Sequence, residues 1–570
     1  MAADEFEQIP VGKRLVRAQS GSGQSLSDWL TDHFHRLTWR TPLYALRLRG
    51  RYPLKLLAVP DDPLPGNAEA GRIMLRGFIA WRGEAADLST PDFSGAGMST
   101  LLAERLQRFD FLRDLAAAAP RAEAAPHAER LVRGWLDAHG EKVAEPAWRP
   151  DLWGWRLLNW AANAPLILSS TDLIYRSAVL NALARGARHL DRTADRAPAG
   201  LARIAAWAGV VAAGLLIAGG GPRRGFGEAG LVKALATGFS VDGGIVSRTP
   251  QDQVDGVLLL AMLGKIYEAR RSAAPEQLTD SLSRAVAALQ GIAAGDGGLT
   301  SWQGSAPLSP GDTAAVLEAS GARGRALRQP REWGYQRATS AQTVLVFDAA
   351  PPPVGSAGGC ASTLAFELSD GPNRIVVNCG GGAASGAIAA SLGQGLRTTA
   401  AHSTLTLADT NSTAIHADGT LGRGVGEVEL ERQESEQGSR IEAVHDGYAR
   451  RFGLTHRRVL MLAADGRELR GDDTLVAARS RARRVAVPFA VRFHLAPGIE
   501  ATPTADGLGA LLRIERGPLW QFRCRGGVLS IEDSLWIGGA GVMQRTLQIV
   551  VSGEALPGGT SVGWAFKKAG

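Results

Sequence analysis

His402 stands in the run Ala401-His402-Ser403-Thr404, and its side chain is the one best suited to move a proton. The surroundings of an imidazole can tune its pKa near neutrality, and the neutral ring can also bind a metal ion. The residues that follow, Ser403-Thr-Leu-Thr-Leu407, alternate polar and apolar side chains as a strand does. His402 is therefore predicted as a catalytic acid or base, with a histidine hydrogen-bonded inside a sheet as the structural alternative.

Tyr335 and Arg337 follow Gly334 at the point where a Gly- and Pro-rich stretch gives way to β-like sequence. A tyrosine hydroxyl can exchange a proton with a substrate oxygen, and a guanidinium can hold a carboxylate through two parallel hydrogen bonds. We predict a catalytic role for Tyr335 and a substrate-binding role for Arg337. An aromatic anchor and a solvated arginine are the alternatives.

Asp242 and Arg248 lie in a second polar loop, Asp242-Gly-Gly-Ile-Val-Ser-Arg248. Both are predicted to bind substrate, although a helix cap and a turn explain Asp-Gly-Gly equally well. Two further histidines, His456 and His494, fall within strand-like patterns and are predicted to be structural.

The composition is that of an ordinary globular protein. The 570 residues exceed the roughly 250–300 at which one hydrophobic core stops growing, which predicts at least two domains. The net charge of +7 would suit a polyanion, but arginines dominate the 63 basic residues and are scattered with Ala and Gly along the chain. This scatter indicates coding bias more than a designed patch, and no nucleic-acid partner is predicted.

Other sequence features exclude some classes of protein. Three cysteines are too few for a disulfide framework or a CxxC metal site. Residues 1–30 contain acids and no apolar stretch, so no signal peptide is visible. The apolar stretch 204–221 is short for a bilayer span of about 20 residues and ends in glycines, so it is predicted as a buried helix rather than a transmembrane segment. The oligomeric state stays open.

The elements that must position these residues divide into a helical half and a β half. Apolar residues recur at helical spacing from Leu101 to Leu115, and similar segments follow near 128–138, 153–168, 173–190, 198–218, 226–238, 253–272 and 276–293. The tripeptide Asp-Gly-Gly recurs at 242–244 and 296–298. Repeated helical pairs with related loops predict a toroid or solenoid of α-hairpins.

After residue 334 the sequence becomes a series of short β-branched or aromatic runs separated by turn signals, which predicts an antiparallel β-sandwich. The predicted runs are 343–347, 364–368, 374–378, 403–407, 458–462, 489–495 and 545–551. Four parts are expected: an N-terminal arm over 1–100, the helical domain over 101–302, a connector over 303–333 and the sandwich over 334–570.

Several motifs of this chain resemble the heparinase II/III-like polysaccharide lyases. Gly334-Tyr-Gln-Arg-Ala338 is similar to the opening strand of that family's C-terminal domain, and Leu364-Ala-Phe-Glu-Leu368 with Asp370-Gly-Pro-Asn-Arg-Ile-Val-Val-Asn-Cys-Gly380 to the next two strands. Ala401-His402-Ser403-Thr404, with Arg397 before it, looks like the family's Ala-His-Asn-Thr strand and its arginine.

The resemblance implies an incomplete (α/α) toroid followed by an antiparallel β-sandwich, and a lyase that cleaves an acidic, uronate-containing polysaccharide by β-elimination. That reaction needs neutralisation of the uronate carboxylate, a base near the C5 proton and an acid for the leaving oxygen. Arg397 is accordingly predicted to bind substrate. The resemblance also implies the periplasm or cell envelope, with the cytoplasm as the alternative.

The chain departs from the family pattern at its metal-binding positions. Those positions map to Cys360, Asn378 and His402, so that only the histidine is kept. No cofactor is predicted to be required, and a zinc ion on these three residues is the alternative. Two functional alternatives stay open beside the lyase: a non-catalytic carbohydrate-binding member, and a cell-envelope polymer-processing enzyme on the same scaffold.

Overall fold

The computed structural model describes residues 13–17, 38–39, 41–50, 55–89, 92–95, 97–353, 358–381, 388–478 and 485–569. Most of the segment 1–30 considered for a signal peptide therefore lies outside the described residues, as does part of the predicted N-terminal arm.

Helices occupy the described chain up to Ser320. They are α1 (Pro42–Arg47), α2 (Ala68–Leu75), α3 (Thr100–Arg108), α4 (Leu112–Ala118), α5 (Arg121–Trp135), α6 (Pro150–Ala162), α7 (Ala164–Ile167), α8 (Leu173–Thr193), α9 (Leu201–Leu216), α10 (Gly221–Gly238), α11 (Pro250–Ala269), α12 (Glu276–Gly291) and α13 (Pro310–Ser320). Several begin with proline in the first turn, where the missing N–H costs nothing, as at Pro150, Pro250 and Pro310.

Helices α6 and α9 form the buried inner wall of the helical half. They approach so closely that a Cβ on Gly154 would lie 2.0 Å from the carbonyl oxygen of Ala205, and one on Gly209 would lie 2.7 Å from Gly154 Cα. Trp153 and Trp160 are fully buried beside them. These tryptophans therefore belong to the core and are not available to stack on a ligand.

The two Asp-Gly-Gly tripeptides form the same turn in successive hairpins. Each follows an outer helix, α10 or α12, and each is closed by a β-bridge, Phe239 to Ile245 and Ala293 to Leu299. The middle glycines, Gly243 and Gly297, have φ values of 84° and 83°, which side-chain-bearing residues rarely adopt. The repeat seen in the sequence is thus a structural repeat.

From Tyr335 onward the described chain is almost entirely β. Its strands are β4 (Tyr335–Ser340), β5 (Thr343–Asp348), β6 (Phe366–Asp370), β7 (Asn373–Val377), β8 (Leu405–Leu407), β9 (Glu427–Ser435), β10 (Gly438–His445), β11 (Leu454–Ala463), β12 (Glu468–Ala477), β13 (Val487–Leu495), β14 (Ile499–Pro503), β15 (Gly509–Ile514), β16 (Trp520–Arg525), β17 (Val528–Ile537), β18 (Met543–Ala555) and β19 (Thr560–Lys568). The short helices α14 (Ala390–Gly395) and α15 (Ala449–Phe452) interrupt them.

These strands form two antiparallel sheets. The first runs β1-β9-β10-β11-β12-β19-β16-β15-β14, where β1 is the N-terminal strand Arg14–Arg17, and the second runs β17-β18-β13-β7-β6-β5-β4. A separate hairpin of β2 (Phe78–Trp81) and β3 (Glu84–Asp87) lies beside the helices. Aromatic side chains such as Phe366, Phe493 and Trp564 fill the sandwich core.

The predicted order, helical domain first and antiparallel sandwich second, is confirmed. The predicted runs miss strands β9, β10, β12, β14, β15, β16, β17 and β19 of the sandwich. In β9 and β17, charged and polar residues occupy much of the strand and leave few apolar positions to count. Most of the apolar stretch 204–221 lies in the buried helix α9 (Leu201–Leu216). None of the described helices is long and apolar enough to cross a bilayer.

Candidate functional site

Arg248 lies at the boundary between the helices and the sandwich, where its guanidinium is fully engaged by the protein. Its Nε donates to the carbonyl of Trp333 and one terminal nitrogen to that of Pro351, both at 2.9 Å. The other terminal nitrogen pairs with Asp348 Oδ1 at 2.5 Å. The side chain is buried and all three nitrogens have partners in the chain itself. It therefore joins the two halves rather than facing an open cleft.

Tyr335 packs directly against this arginine. Its hydroxyl donates to the Arg248 carbonyl at 2.8 Å, and the Arg248 guanidinium lies 4.4 Å from the centre of its ring. Burial raises the pKa of Tyr335 well above its usual value, with Arg248 opposing the shift. The hydroxyl proton is thus held in an internal hydrogen bond.

Three residues that were not predicted complete this arrangement. Ser362 donates to Asp348 Oδ2 at 2.7 Å, and Gln303 donates to Ser362 Oγ at 3.0 Å. We call Arg248, Gln303, Tyr335, Asp348 and Ser362 the boundary cluster. All of its side chains are buried, and together they link a toroid loop, the connector and strands of the sandwich.

His402 lies near the boundary cluster, at the end of a short 3₁₀ turn before β8, and is 2% exposed. Its Nδ1 lies 2.8 Å from the Thr398 carbonyl. A carbonyl only accepts, so Nδ1 carries the proton and Nε2 keeps its lone pair. Burial lowers the pKa of His402, opposed by the Thr398 bond and by Asp348. The ring is therefore neutral at neutral pH.

The other two positions of the suggested zinc site do not fit a metal ion. Burial raises the pKa of the Cys360 thiol to about 12, which disfavours the thiolate that zinc requires. The Asn378 amide donates to the Ser301 carbonyl and to Glu367, both at 3.1 Å, and accepts from Ser403 N–H at 3.0 Å. Within the described residues no group of three or more His, Cys, Asp or Glu side chains is arranged to hold a metal.

The remaining predicted binding residues also contact the protein itself. Arg337 donates to the Ala293 carbonyl, and burial, with Arg328 nearby, lowers the pKa of Arg337 to about 10. Arg397 donates to the Gly359 carbonyl at 2.9 and 2.7 Å. Asp242 accepts three backbone N–H groups of residues 331–333, at 2.9, 2.6 and 3.1 Å. The Asp242 carboxylate therefore fastens the connector to the toroid loop.

A second charged group lies in the helical half and was missed in the sequence. We call Glu104, Arg108, Arg149, Asp252 and Asp255 the inner-helix cluster. Arg108 pairs with Asp255 at 2.8 Å, and both side chains are partly exposed, at 22% and 16%. Asp252 accepts from Ser247 Oγ at 2.6 Å. Burial, opposed by that hydrogen bond and reinforced by Asp255, raises the pKa of Asp252 to about 6.

The sequence did contain a signal for this cluster. Asp252 and Asp255 stand three residues apart in the first turns of α11, directly after Pro250. Residues at this spacing share one face of a helix, and two carboxylates on one face are unusual for a helix as buried as α11.

Carboxylates outnumber arginines in the inner-helix cluster. Arg149 pairs with Glu104, and also with Asp151 at 2.5 Å. Two arginines thus face three carboxylates within the cluster, so no surplus of positive charge is available for a polyanionic chain.

Comparisons with known proteins agree with this architecture. Residues 322–565 match the family model "Heparinase II/III-like, C-terminal". FtsZ-localized protein C of Caulobacter vibrioides is 30% identical over 585 residues, a match that covers 98% of this chain and 96% of that protein.

Solved structures of polysaccharide lyases share the fold. A heparinase III superposes with a TM-score of 0.68 at 12% identity, covering 97% of this chain and 93% of its own. Heparan sulfate lyase HepC of Pedobacter heparinus gives a TM-score of 0.58 at 14% identity, covering 97% and 92%. With a full-length relative at 30% identity and this shared two-part fold, the chain belongs to the heparinase II/III-like family.

Proposed function

We propose that this chain is a heparinase II/III-like protein that does not catalyse β-elimination and acts instead by associating with FtsZ. The observation that carries the first half is the bonding at the domain boundary. The Tyr335 hydroxyl, the Arg248 guanidinium and the Arg397 guanidinium, which the lyase reaction would direct at a sugar, are each bonded to the chain itself. If any of these side chains turned away from its partner to reach a substrate, a buried polar group of the chain would lose its hydrogen bond.

The second half of the proposal rests on the full-length relative. That relative is named for its localisation with FtsZ, and the match spans both the helical half and the sandwich. A location with FtsZ favours the cytoplasmic alternative over the periplasm. The inner-helix cluster, with two arginines against three carboxylates, offers no surplus of positive charge to an acidic polysaccharide.

Association with FtsZ is tested by imaging a fluorescent fusion of the full chain together with FtsZ, and by co-sedimentation of the two purified proteins. The matched variant is Tyr335→Phe, which removes only the hydroxyl expected to act in a lyase. We expect both proteins to co-localise and co-sediment, with Tyr335→Phe behaving like the natural chain. A uniform distribution of the fusion, with no co-sedimentation, would refute the proposal.

A polysaccharide lyase with a rearranged site is the second candidate, and one observation favours it. His402 carries its proton on Nδ1, so its Nε2 lone pair is available to accept a proton. If that lone pair acts as a base, uronate polymers should yield the 4,5-unsaturated product, and the product should disappear in His402→Ala. Binding of a uronate polymer without product would instead support a carbohydrate-binding member.

A further inference from the structure

Ser534 and His494 form a hydrogen-bonded pair on the second sheet, beside the turn that carries His402. Ser534 Oγ lies 2.8 Å from His494 Nδ1, and His494 Nε2 lies 2.9 Å from the Ala400 carbonyl. Because that carbonyl only accepts, Nε2 carries the ring proton. Nδ1 therefore holds a lone pair that accepts the serine hydroxyl.

The sheet register explains how strands that are not adjacent bring these residues together. His494 on β13 pairs with Gln548 on β18. Ser534 on β17 pairs with Thr546, which lies two residues before Gln548 on the same strand β18. The end of β17 also bonds back to the chain after β7, through Ile537 N–H and the Cys379 carbonyl. The sheet thus curls until Ser534 reaches His494. The serine remains partly exposed, whereas the imidazole is buried.

The three strands that carry or flank the pair also carry buried polar atoms without a hydrogen-bond partner in the described chain. Arg492 lies two residues before His494 on the same face of β13. One terminal nitrogen of Arg492 donates to Gln548 at 3.4 Å and lies 3.7 Å from Glu532, whereas its Nε is buried without a hydrogen-bond partner in the described chain. The Thr546 hydroxyl and the Trp536 indole N–H are also buried without a hydrogen-bond partner in the described chain. Unsatisfied buried donors cost free energy unless a ligand meets them. The Cys379 thiol contributes a further contact, 3.4 Å from Nδ1.

We propose that Ser534 and His494 form an acyl-transfer site for small carboxylic esters. A nucleophile bonded to a base, and a base oriented by a third group, are what such a site requires. Ser534 Oγ bonds to the ester carbonyl carbon as its proton passes to His494 Nδ1. The ester C–O bond then breaks, and the alcohol leaves with that proton.

A water molecule completes the reaction. It loses a proton to Nδ1 and adds to the acyl carbon, the bond to Oγ breaks, and Ser534 regains the proton while the carboxylic acid departs. We assign Arg492 Nε–H, two residues from His494 on the same face of β13, to stabilise the carbonyl oxygen while it carries negative charge. The site uses none of the residues on which the proposed association with FtsZ rests.

The test is labelling of the full-length chain with a fluorophosphonate, followed by mass spectrometry of the modified peptides. Ser530 is the matched control within the same chain. It lies on the same strand and is likewise partly exposed, but its hydroxyl donates to Glu532 at 2.9 Å instead of to an imidazole. Base assistance contributes on the order of 100-fold or more, so Ser534 is expected to be labelled at least about 100-fold faster than Ser530.

Two variants keep the result interpretable. Ser534→Ala should abolish labelling of that peptide and hydrolysis of 4-nitrophenyl acetate, whereas Ser530→Ala should leave both unchanged. His494→Gln should lower the labelling of Ser534 to the rate of Ser530, provided that its thermal unfolding shows an intact fold. Labelling of Ser534 no faster than that of Ser530 in the natural chain would overturn the proposal by itself, whatever the His494 variant does.

Discussion

Two arginine–aspartate pairs in this molecule have the same chemistry but different surroundings. Arg248 and Asp348, in the boundary cluster, are 7% and 0% exposed and lie 2.5 Å apart. Arg108 and Asp255, in the inner-helix cluster, are 22% and 16% exposed and lie 2.8 Å apart. The first guanidinium is saturated by carbonyls and a carboxylate, whereas Nε of the second has no partner among the described residues.

The difference in burial decides how rigidly each pair is held. A buried pair whose every nitrogen is bonded fixes the toroid against the sandwich and leaves nothing for a substrate to contact. A partly exposed pair can rearrange at a smaller cost, because water screens part of each charge. Similar residue types therefore give a rigid structural joint in one place and a weaker, partly solvated ion pair in the other.

The largest expected effect is that of Asp348→Asn. This change leaves the Arg248 charge buried without its carboxylate, and removing one partner of a buried ion pair costs roughly 3–5 kcal/mol. Denaturant unfolding of the natural and variant chains measures the difference. If the free energy of unfolding falls by less than about 1 kcal/mol, the pair of Arg248 and Asp348 does not hold the helical half against the sandwich.

Glu367 is expected to give a pH-dependent effect of intermediate size. Its carboxyl group accepts from Ser301 N–H at 2.8 Å and from Asn378 at 3.1 Å. The first bond joins the end of the helical domain to the sandwich, and burial raises the pKa of Glu367 to about 7. Because the folded protein holds this proton more tightly than the unfolded chain, stability present below about pH 4 is lost as the pH rises to about 7.

Glu367→Gln should remove that loss. We expect the variant to match the natural chain near pH 4 and to exceed its stability by roughly 3 kcal/mol at pH 8. Unfolding midpoints measured across this range test the expectation. A variant that is destabilised equally at every pH would mean that the carboxyl is not held in its protonated form.

Tyr335→Phe should have a smaller effect on stability. It removes one hydrogen bond, from the hydroxyl to the Arg248 carbonyl, which is worth about 1 kcal/mol, and it keeps the ring that packs against the guanidinium. Thermal unfolding measures this. If the variant is as stable as the natural chain, the hydroxyl is not committed to the boundary and becomes available for catalysis.

Asp255→Asn should have the smallest effect of the series. The pair with Arg108 is partly exposed, and such ion pairs contribute about 0.2–1 kcal/mol. Compared with Asp348→Asn in the same denaturant, this variant sharpens the contrast between the two clusters. If Asp255→Asn and Asp348→Asn lowered the free energy of unfolding equally, the contrast between the two clusters would be wrong.

The sequence was a good guide to the elements and a poorer one to the contacts between them. Apolar spacing placed α6, α9 and α11 within a few residues, because each buries a face that must recur at helical period. Alternation placed β5, β7 and β13. Alternation failed to predict β17, an edge strand in which residues on both faces are exposed or only partly buried.

The candidate residues were found, but their surroundings were not. Tyr335 and Arg248 were chosen for their chemistry, yet nothing within either motif shows that residues 87 positions apart bond to each other. Asp348 and Gln303 were missed because a lone carboxylate and a lone amide carry no pattern. Burial of His402 depends on how the connector and the sandwich pack, and local sequence does not encode this packing.

The most direct test of the account is a lyase assay on the purified full-length chain. A panel of uronate polymers, including heparan sulfate, chondroitin and alginate, is incubated with the natural chain and with His402→Ala, and absorbance of the 4,5-unsaturated uronate is followed. We predict no product from either chain, with a heparinase III as the positive control. Product formation by the natural chain that is lost in His402→Ala would contradict the account.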